Sequence, residues 1–400
     1  MATPGPAQPL IPAQILHVDD DEGSLAQARE YLEGEDVGGW GHPHVESLQT
    51  FPDALALLET RRFDLVILDV RLGGYEPQET APEEEEGVRT LEDIRQRRFV
   101  PVIFWTGLPE RVRDLEGPLV RVHNKTDGPE ILFGVVQELF ETRLPAVNRA
   151  LLRLIEDEQR RYMWNFVARH WAQLSEGADH MELAYLLARR LGRSLSGPGI
   201  ESLADALGGR GPGPPAPGKI NAAEVYVIPP LDGTKPGVGD LFRENTGNGA
   251  DSWWLVVTPS CDLEHGKAES VVLAACDLMQ RDARVQAWHG DLESGNRRRK
   301  VSDLVEQKTG GQNDRHLFLP SAPTIPDLLA DFQRLRSVTP AELETMHRVA
   351  SLVSPFAEAM VSRFTRYFGR VGTDDLDADA IMERLKHPAS PQGAEPGNWE

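Results

Sequence analysis

The chain has 400 residues, of which 40% are hydrophobic, 36 are glycine and 30 are proline. That is long enough for two or three domains joined by sizeable linkers. A net charge of −21 and a pI near 5.0 exclude a protein that wraps nucleic acid with its whole surface. Two cysteines and the lack of a long apolar run exclude a disulfide framework and a membrane span. Without a signal-peptide pattern at the N-terminus, these features predict a cytoplasmic protein.

Four short apolar runs in the first third of the chain each end on a polar or charged residue. The runs are 15–18, 63–68, 101–105 and 119–124, and the residues that follow them are Asp19 and Asp20, Asp69, Thr106, and Lys125. Such runs are typical of strands buried on both faces. Helical patterns between them, at 22–33, 52–60, 87–97, 110–116 and 129–144, predict a doubly wound α/β fold. In that fold, ligands bind at the carboxyl ends of the strands.

This constellation resembles the receiver domain of two-component response regulators, over residues 13–143. The resemblance implies a flavodoxin-like, doubly wound parallel sheet of strand order 2-1-3-4-5, with Asp69 as the phosphoacceptor. It implies a sensor histidine kinase or a phosphotransfer protein as the partner that supplies the phosphoryl group.

The same resemblance assigns roles to the other residues at the strand ends. Asp20 and Asp69 would bind Mg²⁺ directly, with Asp19 acting through water and the backbone carbonyl of Arg71 as a further ligand. Thr106 would be the switch hydroxyl, and Lys125 would pair with the phosphate. The residue types suit the chemistry, because carboxylates hold Mg²⁺ and an ammonium group stabilises an acyl phosphate.

Three positions depart from the family pattern. Residues 75–86 form an acidic insertion with six glutamates, ahead of Gly87, which matches the family's glycine. We interpret the insertion as a solvated loop, with control of donor access by charge repulsion as the alternative. Thr126 stands where the family has proline, and Val122 where many members carry the aromatic partner of the switch hydroxyl.

Residues 146–207 have a helical pattern, predicted as one helix to about residue 174 and a second at 181–194. Trp164 and Trp171 lie seven residues apart, on one helix face. This connector is either a helical hairpin core or a signalling helix with a homodimer face. It has no basic recognition helix, so we expect no helix-turn-helix contact with nucleic acid. Residues 208–219 are a Gly/Pro linker.

The next region, 220–322, is predicted to be a β-rich output domain, a small barrel or α+β fold. Its predicted strands are 224–228, 240–242, 253–258, 269–275 and 315–319. The stretches 239–242 and 254–263 resemble the SH3-like barrels of the MazF/PemK toxin class, over about 40 residues.

Polar and reactive residues cluster at 258–267, at the end of the apolar run that is predicted to be a strand. Cys261, Asp262 and His265 could bind zinc together with Cys276, or Cys261 could act as a nucleophile with His265. The third interpretation is a turn stabilised by Asp262, with both cysteines buried. The basic run at residues 297–300 is predicted to be a solvated loop, with polyanion binding as the alternative.

Residues 325–372 are predicted to be C-terminal helices, at 325–335 and 340–368, because apolar residues recur there every three or four positions. Residues 373–400 are predicted to be a charged tail. The sequence as a whole predicts a response regulator phosphorylated on Asp69. The alternatives for its C-terminal half are a receiver-gated effector enzyme of the nuclease or toxin kind, or an adaptor that binds a protein partner after phosphorylation.

Overall fold

The computed structural model divides into two compact units, Met1–Pro214 and Pro215–Glu400. Within them the structure describes residues 12–70, 86–172, 180–195, 220–245, 251–306, 314–369 and 376–386. The Gly/Pro linker at 208–219, Arg71 and all but the last residue of the acidic insertion lie outside the described residues. Predictions about those segments stay predictions.

The first unit alternates strands with helices as the sequence predicts. Its strands are β1 (Gln14–Val18), β2 (His44–Leu48), β3 (Leu65–Leu68), β4 (Val102–Thr106) and β5 (Val120–Asn124). Its first helices are α1 (Glu22–Gly34), α2 (Phe51–Thr60), α3 (Glu86–Arg97) and α4 (Pro129–Glu141). The helix expected at 110–116 is instead two 3₁₀ turns, Pro109–Arg111 and Arg113–Leu115.

The five strands form a parallel sheet of order β2-β1-β3-β4-β5. Every residue of β3 and β4 is buried, since helices cover both faces of the sheet. Helices α2 and α3 contribute Leu58 and Leu91 to the core on one face, and α1 and α4 contribute Leu32 and Leu132 on the other. The carboxyl ends of the strands therefore lie at one edge, where the sequence places the acidic and basic residues.

Helix α5 (Leu144–Tyr162) follows α4 and contacts the opposite, amino-terminal edge of the sheet. Arg149 forms a bidentate ion pair with Asp64, the residue before β3, and its guanidinium lies 4.4 Å from the Trp40 ring. Asn148 Nδ2 donates a hydrogen bond to the carbonyl oxygen of Phe99, ahead of β4. The connector thus starts as a helix anchored to the receiver-like sheet.

The connector continues as a π-helical turn, Met163–Val167, and a 3₁₀ turn, Ala168–His170, and then as helix α6 (His180–Leu195). The helix predicted at 181–194 is present as α6, whereas the first predicted helix changes from α-helix to these turns after Tyr162, and its predicted end near residue 174 lies outside the described residues. Glu158 is buried between α5 and α6 and accepts a hydrogen bond from Arg190 Nε at 2.5 Å. Trp164 and Trp171 remain 71% and 57% exposed, so neither belongs to the hairpin core.

The second unit contains a seven-stranded antiparallel sheet. Its strands are β6 (Tyr226–Val227), β7 (Asp240–Asn245), β8 (Asp251–Val256), β9 (Val271–Leu278), β10 (His316–Leu319), β11 (Leu328–Val338) and β12 (His347–Leu352). Its helices are α7 (Ser260–Glu264), α8 (Ala283–His289), α9 (Gly295–Val305), α10 (Pro340–Glu344), α11 (Phe356–Phe368) and α12 (Ala378–Leu385).

The strand order is β10-β11-β9-β8-β7-β12-β6. One face of the sheet packs against α11 through Met360 and Phe364, around the fully buried Phe332. The other face packs against α10 through Leu343. All five strands predicted before residue 320 are present, and the likeness to toxin barrels stays a prediction.

The helices predicted at 325–335 and across 347–352 are wrong. Residues Leu328–Val338 pair with β9 and β10, and His347–Leu352 pairs with β7. These strands belong to the same sheet as the β-rich region, so residues 325–372 are not a separate helical segment. Within the range 340–368, which was predicted to be one helix, only α10 and α11 are helical. Part of the predicted tail is the short helix α12.

The basic run at residues 297–300 is not a loop, because it lies within α9. Ser294 caps this helix by accepting a hydrogen bond from Arg297 N. Val301 and Leu304 fix it against Val285 of α8 and Leu329 of β11. None of the described helices is long and apolar enough to cross a membrane.

Candidate phosphoacceptor site

Residues from three strand ends meet at the carboxyl edge of the parallel sheet. Asp19 follows β1, Asp69 follows β3 and Lys125 follows β5. Lys125 Nζ lies 2.6 Å from Asp19 Oδ2 and 2.6 Å from Asp69 Oδ2. Residues 50 or more positions apart in the sequence are thereby joined in one ion-pair cluster.

Asp69 is nearly buried, at 9% exposure. Its Oδ1 accepts a hydrogen bond from Val70 N at 2.6 Å, and its Oδ2 receives the Lys125 contact. The carboxylate is therefore held in one orientation by a backbone amide and an ammonium group.

The three acids that follow β1 have different environments. Asp19 is fully buried, whereas Asp20 is exposed. Asp21 is the N-cap of α1, where its side chain accepts a hydrogen bond from Gly23 N at 2.9 Å. Asp21 is thus occupied in holding the helix, which leaves Asp19 and Asp20 for the site.

Asp19, Asp20 and Asp69 are the one cluster of potential metal ligands found among the described residues. Each offers a carboxylate oxygen, and these oxygens lie within 4.8 Å of one another. Hard carboxylate oxygens are the protein ligands that Mg²⁺ prefers, so this donor set fits Mg²⁺. These are the three acids that the resemblance to receiver domains implies for the metal site, and Arg71, its fourth residue, lies outside the described residues.

The charge of Lys125 is secured by its neighbours. Partial burial acts to lower the pKa of Lys125, but its hydrogen bonds and attraction to Asp19 and Asp69 outweigh that effect and raise the pKa. Lys125 is therefore a cation at neutral pH, adjacent to the carboxylate expected to carry a phosphoryl group.

Thr106 ends β4, the strand next to β3, and its side chain is buried at 1% exposure. Its hydroxyl oxygen accepts a hydrogen bond from Leu108 N at 3.1 Å. Val122 on β5 is also buried, so this position contributes an aliphatic side chain to the core.

Two site residues escaped the sequence analysis. Ser24 Oγ donates a 2.7 Å hydrogen bond to Asp19 Oδ2, and His17 Nε2 lies 3.8 Å from the same oxygen. Ser24 falls in the first turn of α1, a position that the Asp21 cap could have identified. Nothing in the sequence marked His17 as a site residue, because it is a single polar residue within the apolar run 15–18.

His17 is an unusual core residue. Its side chain is fully buried beside the Trp105 ring, at a centroid distance of 5.6 Å, and neither ring nitrogen has a hydrogen-bond partner among the described residues. Burial lowers the pKa of His17 to about 4, against an opposing effect of Asp19 and with a further lowering by Lys125. The imidazole is therefore neutral at pH 7.

A glycine sets the backbone at the acidic edge. Gly87 N donates a hydrogen bond to Val70 O at 3.0 Å. A Cβ atom at Gly87 would lie 2.5 Å from the carbonyl oxygen of Asp69 and 2.9 Å from Val70 Cα. Helix α3 can approach the segment after Asp69 this closely only without a side chain, which explains the glycine match seen in the sequence.

Solved structures similar to the first third of the chain include receiver domains. One is a Francisella response regulator receiver domain, at 18% identity and a TM-score of 0.26, covering 33% of this chain and 98% of that one. Another is a CheY-like response regulator receiver domain protein from Methanospirillum hungatei, at 24% identity and a TM-score of 0.25, covering 33% of this chain and 97% of that one.

A third similar structure is the anti-anti-sigma factor PhyR from Bartonella quintana, at 23% identity and a TM-score of 0.26. The match covers 33% of this chain and 49% of PhyR, so this chain spans about half of that relative. No protein-family model matches the chain, and none of the curated proteins is similar to it. The strand order β2-β1-β3-β4-β5, with helices on both faces, fits a flavodoxin-like receiver fold.

The second predicted site does not assemble as a zinc centre. Cys276 is buried in the core of the second unit, whereas Cys261 is exposed. Cys261 Sγ lies 3.7 Å from Asp262 Oδ1, and no hydrogen bond joins the side chains of Cys261 and His265 in the described part of the chain. The zinc interpretation is therefore wrong for the described residues.

The turn interpretation is correct in part. The backbone carbonyl of Asp262 accepts hydrogen bonds from Lys267 N at 2.8 Å and from Ala268 N at 3.1 Å, which closes the turn after α7. Cys276 is buried as predicted, but Cys261 is not.

Iodoacetamide added to the native full-length protein is expected to alkylate Cys261 and to leave Cys276 unmodified. Cys261 is exposed, whereas burial raises the pKa of the Cys276 thiol above its ordinary range, and only a thiolate reacts at a useful rate. Peptide mass spectrometry gives the labelled fraction of each thiol, and unfolding in guanidinium should make the two equal. Equal labelling in the native protein would contradict this packing of β9.

Proposed function

We propose that this chain is a response regulator whose first unit accepts a phosphoryl group on Asp69 and thereby controls the second unit. The observation that carries the proposal is the position of Lys125 Nζ, 2.6 Å from the carboxylates of both Asp19 and Asp69. A buried nucleophilic carboxylate beside a fixed cation and two further acids is suited to phosphoryl transfer.

The metal would be held by Asp20 and Asp69, with Asp19 acting through water and the Arg71 carbonyl as a further ligand. When bound, Mg²⁺ neutralises charge on the transferring phosphoryl oxygens. Val70 N fixes one oxygen of Asp69, so the other oxygen, Oδ2, is the one that faces the donor and Lys125.

In the transfer step, a carboxylate oxygen of Asp69 forms a bond to phosphorus. The bond from phosphorus to the donor breaks, and its electron pair leaves with the donor atom. That atom is an imidazole nitrogen of a phosphohistidine in a histidine kinase or phosphotransfer protein, or an acetate oxygen of acetyl phosphate. The product is an acyl phosphate on Asp69.

Lys125 and Thr106 act on this product. The ammonium group of Lys125 pairs with a phosphoryl oxygen and offsets the added negative charge. The hydroxyl of Thr106, whose oxygen accepts a hydrogen bond from Leu108 N, turns to donate its own hydrogen to another phosphoryl oxygen. That reorientation displaces the loop after β4 and provides the conformational signal.

The test uses the full-length protein with Mg²⁺ and acetyl phosphate, followed by intact mass spectrometry. We expect the mass of one added phosphoryl group, lost again on treatment with hydroxylamine, which cleaves acyl phosphates, and absent when EDTA replaces Mg²⁺. A protein that gains no mass, or one whose added mass resists hydroxylamine, would refute the proposal.

A further inference from the structure

The second unit carries a concentrated positive surface within a strongly acidic protein. Arg297, Arg298, Arg299 and Lys300 form the only run of four consecutive basic residues in a chain of net charge −21. All four lie exposed on α9. We infer that this basic surface, Arg298 to Lys300 on α9, binds the phosphate backbone of a nucleic-acid duplex. This inference goes beyond the proposed phosphoryl transfer and does not depend on it.

The helix holds this surface in a fixed orientation. Val301 is buried and Leu304 is partly buried in a cluster with Val285 and Leu329, so one side of α9 faces the protein. Successive helical residues are about 100° apart, which places Arg299 nearly opposite Val301. Arg298 and Lys300 lie about 100° to either side of it, on the two flanks of the helix, and all three side chains are exposed.

The first basic residue of the run has a structural role that distinguishes it from the others. Arg297 Nη1 donates a 2.8 Å hydrogen bond to the carbonyl oxygen of Ala287 on α8 and lies 3.7 Å from Asp291. Arg298, Arg299 and Lys300 make no ion pair with another residue in the described ranges. Their charges are therefore available to an external anion.

The order of charges along α9 runs against the helix dipole. Basic residues fill its first turns, and the acids Asp303 and Glu306 lie at its end, whereas a helix is stabilised by the reverse order. No acid lies in the first turn, and no base in the last. An anion bound at the first turns would pair with the basic side chains and also interact favourably with the helix N-terminus.

A duplex fits these features better than a membrane surface does. An amphipathic helix binds a membrane through a free apolar face, whereas Val301 and Leu304 of α9 already face the core of the second unit. A duplex presents closely and regularly spaced phosphates, which matches three adjacent cations. A major groove also admits an α-helix.

The test measures the binding of a fluorescein-labelled DNA duplex to the full-length protein by anisotropy, over a range of salt concentrations. The variant is the triple substitution Arg298→Gln, Arg299→Gln and Lys300→Gln, which keeps helix propensity. Its control is the triple substitution Arg113→Gln, Arg189→Gln and Lys267→Gln, which removes the same charge from three exposed positions elsewhere.

We expect the α9 variant to bind at least about tenfold more weakly at low salt, with the slope of log affinity against log salt reduced by about 3, since each phosphate contact contributes about 0.9. The control should bind within about twofold of the unaltered protein. Absence of DNA binding by the unaltered protein, or equal losses in both variants, would overturn the inference. Tighter binding to phosphatidylserine vesicles than to the duplex would do so as well.

Discussion

The Asp69→Asn variant is expected to take up no phosphoryl group from acetyl phosphate, while the unaltered protein takes up one. An amide has the size of the carboxylate and can still accept the hydrogen bond from Val70 N. It lacks the anionic oxygen that attacks phosphorus and leaves Lys125 with Asp19 alone. The expected loss is therefore complete, with little change in fold.

The matched control is Asp114→Asn, which makes the same chemical change on an exposed 3₁₀ turn of the same unit. It should be phosphorylated to the same extent as the unaltered protein. Intact mass measured over a time course of acetyl phosphate treatment gives both values. Phosphorylation of the Asp69→Asn variant at the normal rate would show that another residue is the phosphoacceptor.

The first unit was predictable because its local patterns and its long-range contacts agree. Four of its strands are short apolar runs, and each leads to a polar or charged side chain at its carboxyl end, as with Asp69 after β3. The parallel sheet then brings those ends together without further information. The buried His17 beside Asp19 was not predictable, because an apolar strand pattern tolerates one such residue without a signal.

The second unit was less predictable because its patterns fit two structures. In β11, the sequence from Leu328 to Phe332 is buried on both faces, and a register shift between Asp331 and Leu335 breaks the alternation that marks a strand. Apolar residues then recur at helical spacing. Residues Leu328–Val338 form a strand because they pair with β9 and β10. The local sequence pattern does not reveal that pairing. Asp331 is kept in the sheet by its bidentate ion pair with Arg315.

The substitution Gly87→Ala is expected to destabilise the first unit and to slow phosphorylation of Asp69 at the same time. The added Cβ would meet the carbonyl oxygen of Asp69 at 2.5 Å and Val70 Cα at 2.9 Å. These are backbone atoms that cannot rotate away, so either α3 or the segment after Asp69 must shift. Overpacking of this kind costs roughly 1–3 kcal/mol.

The control substitution for this prediction is expected to change the stability of the first unit in the opposite direction. Gly134 lies inside α4, and a Cβ built there has no neighbour within 4 Å. Gly134→Ala should therefore stabilise the unit by about 0.5–1 kcal/mol, because alanine favours a helix interior over glycine. Hydrogen exchange of the β3 amides measures both effects within the full-length chain. A Gly87→Ala variant as stable and as readily phosphorylated as the unaltered protein would show that α3 does not fix the backbone of the phosphoacceptor.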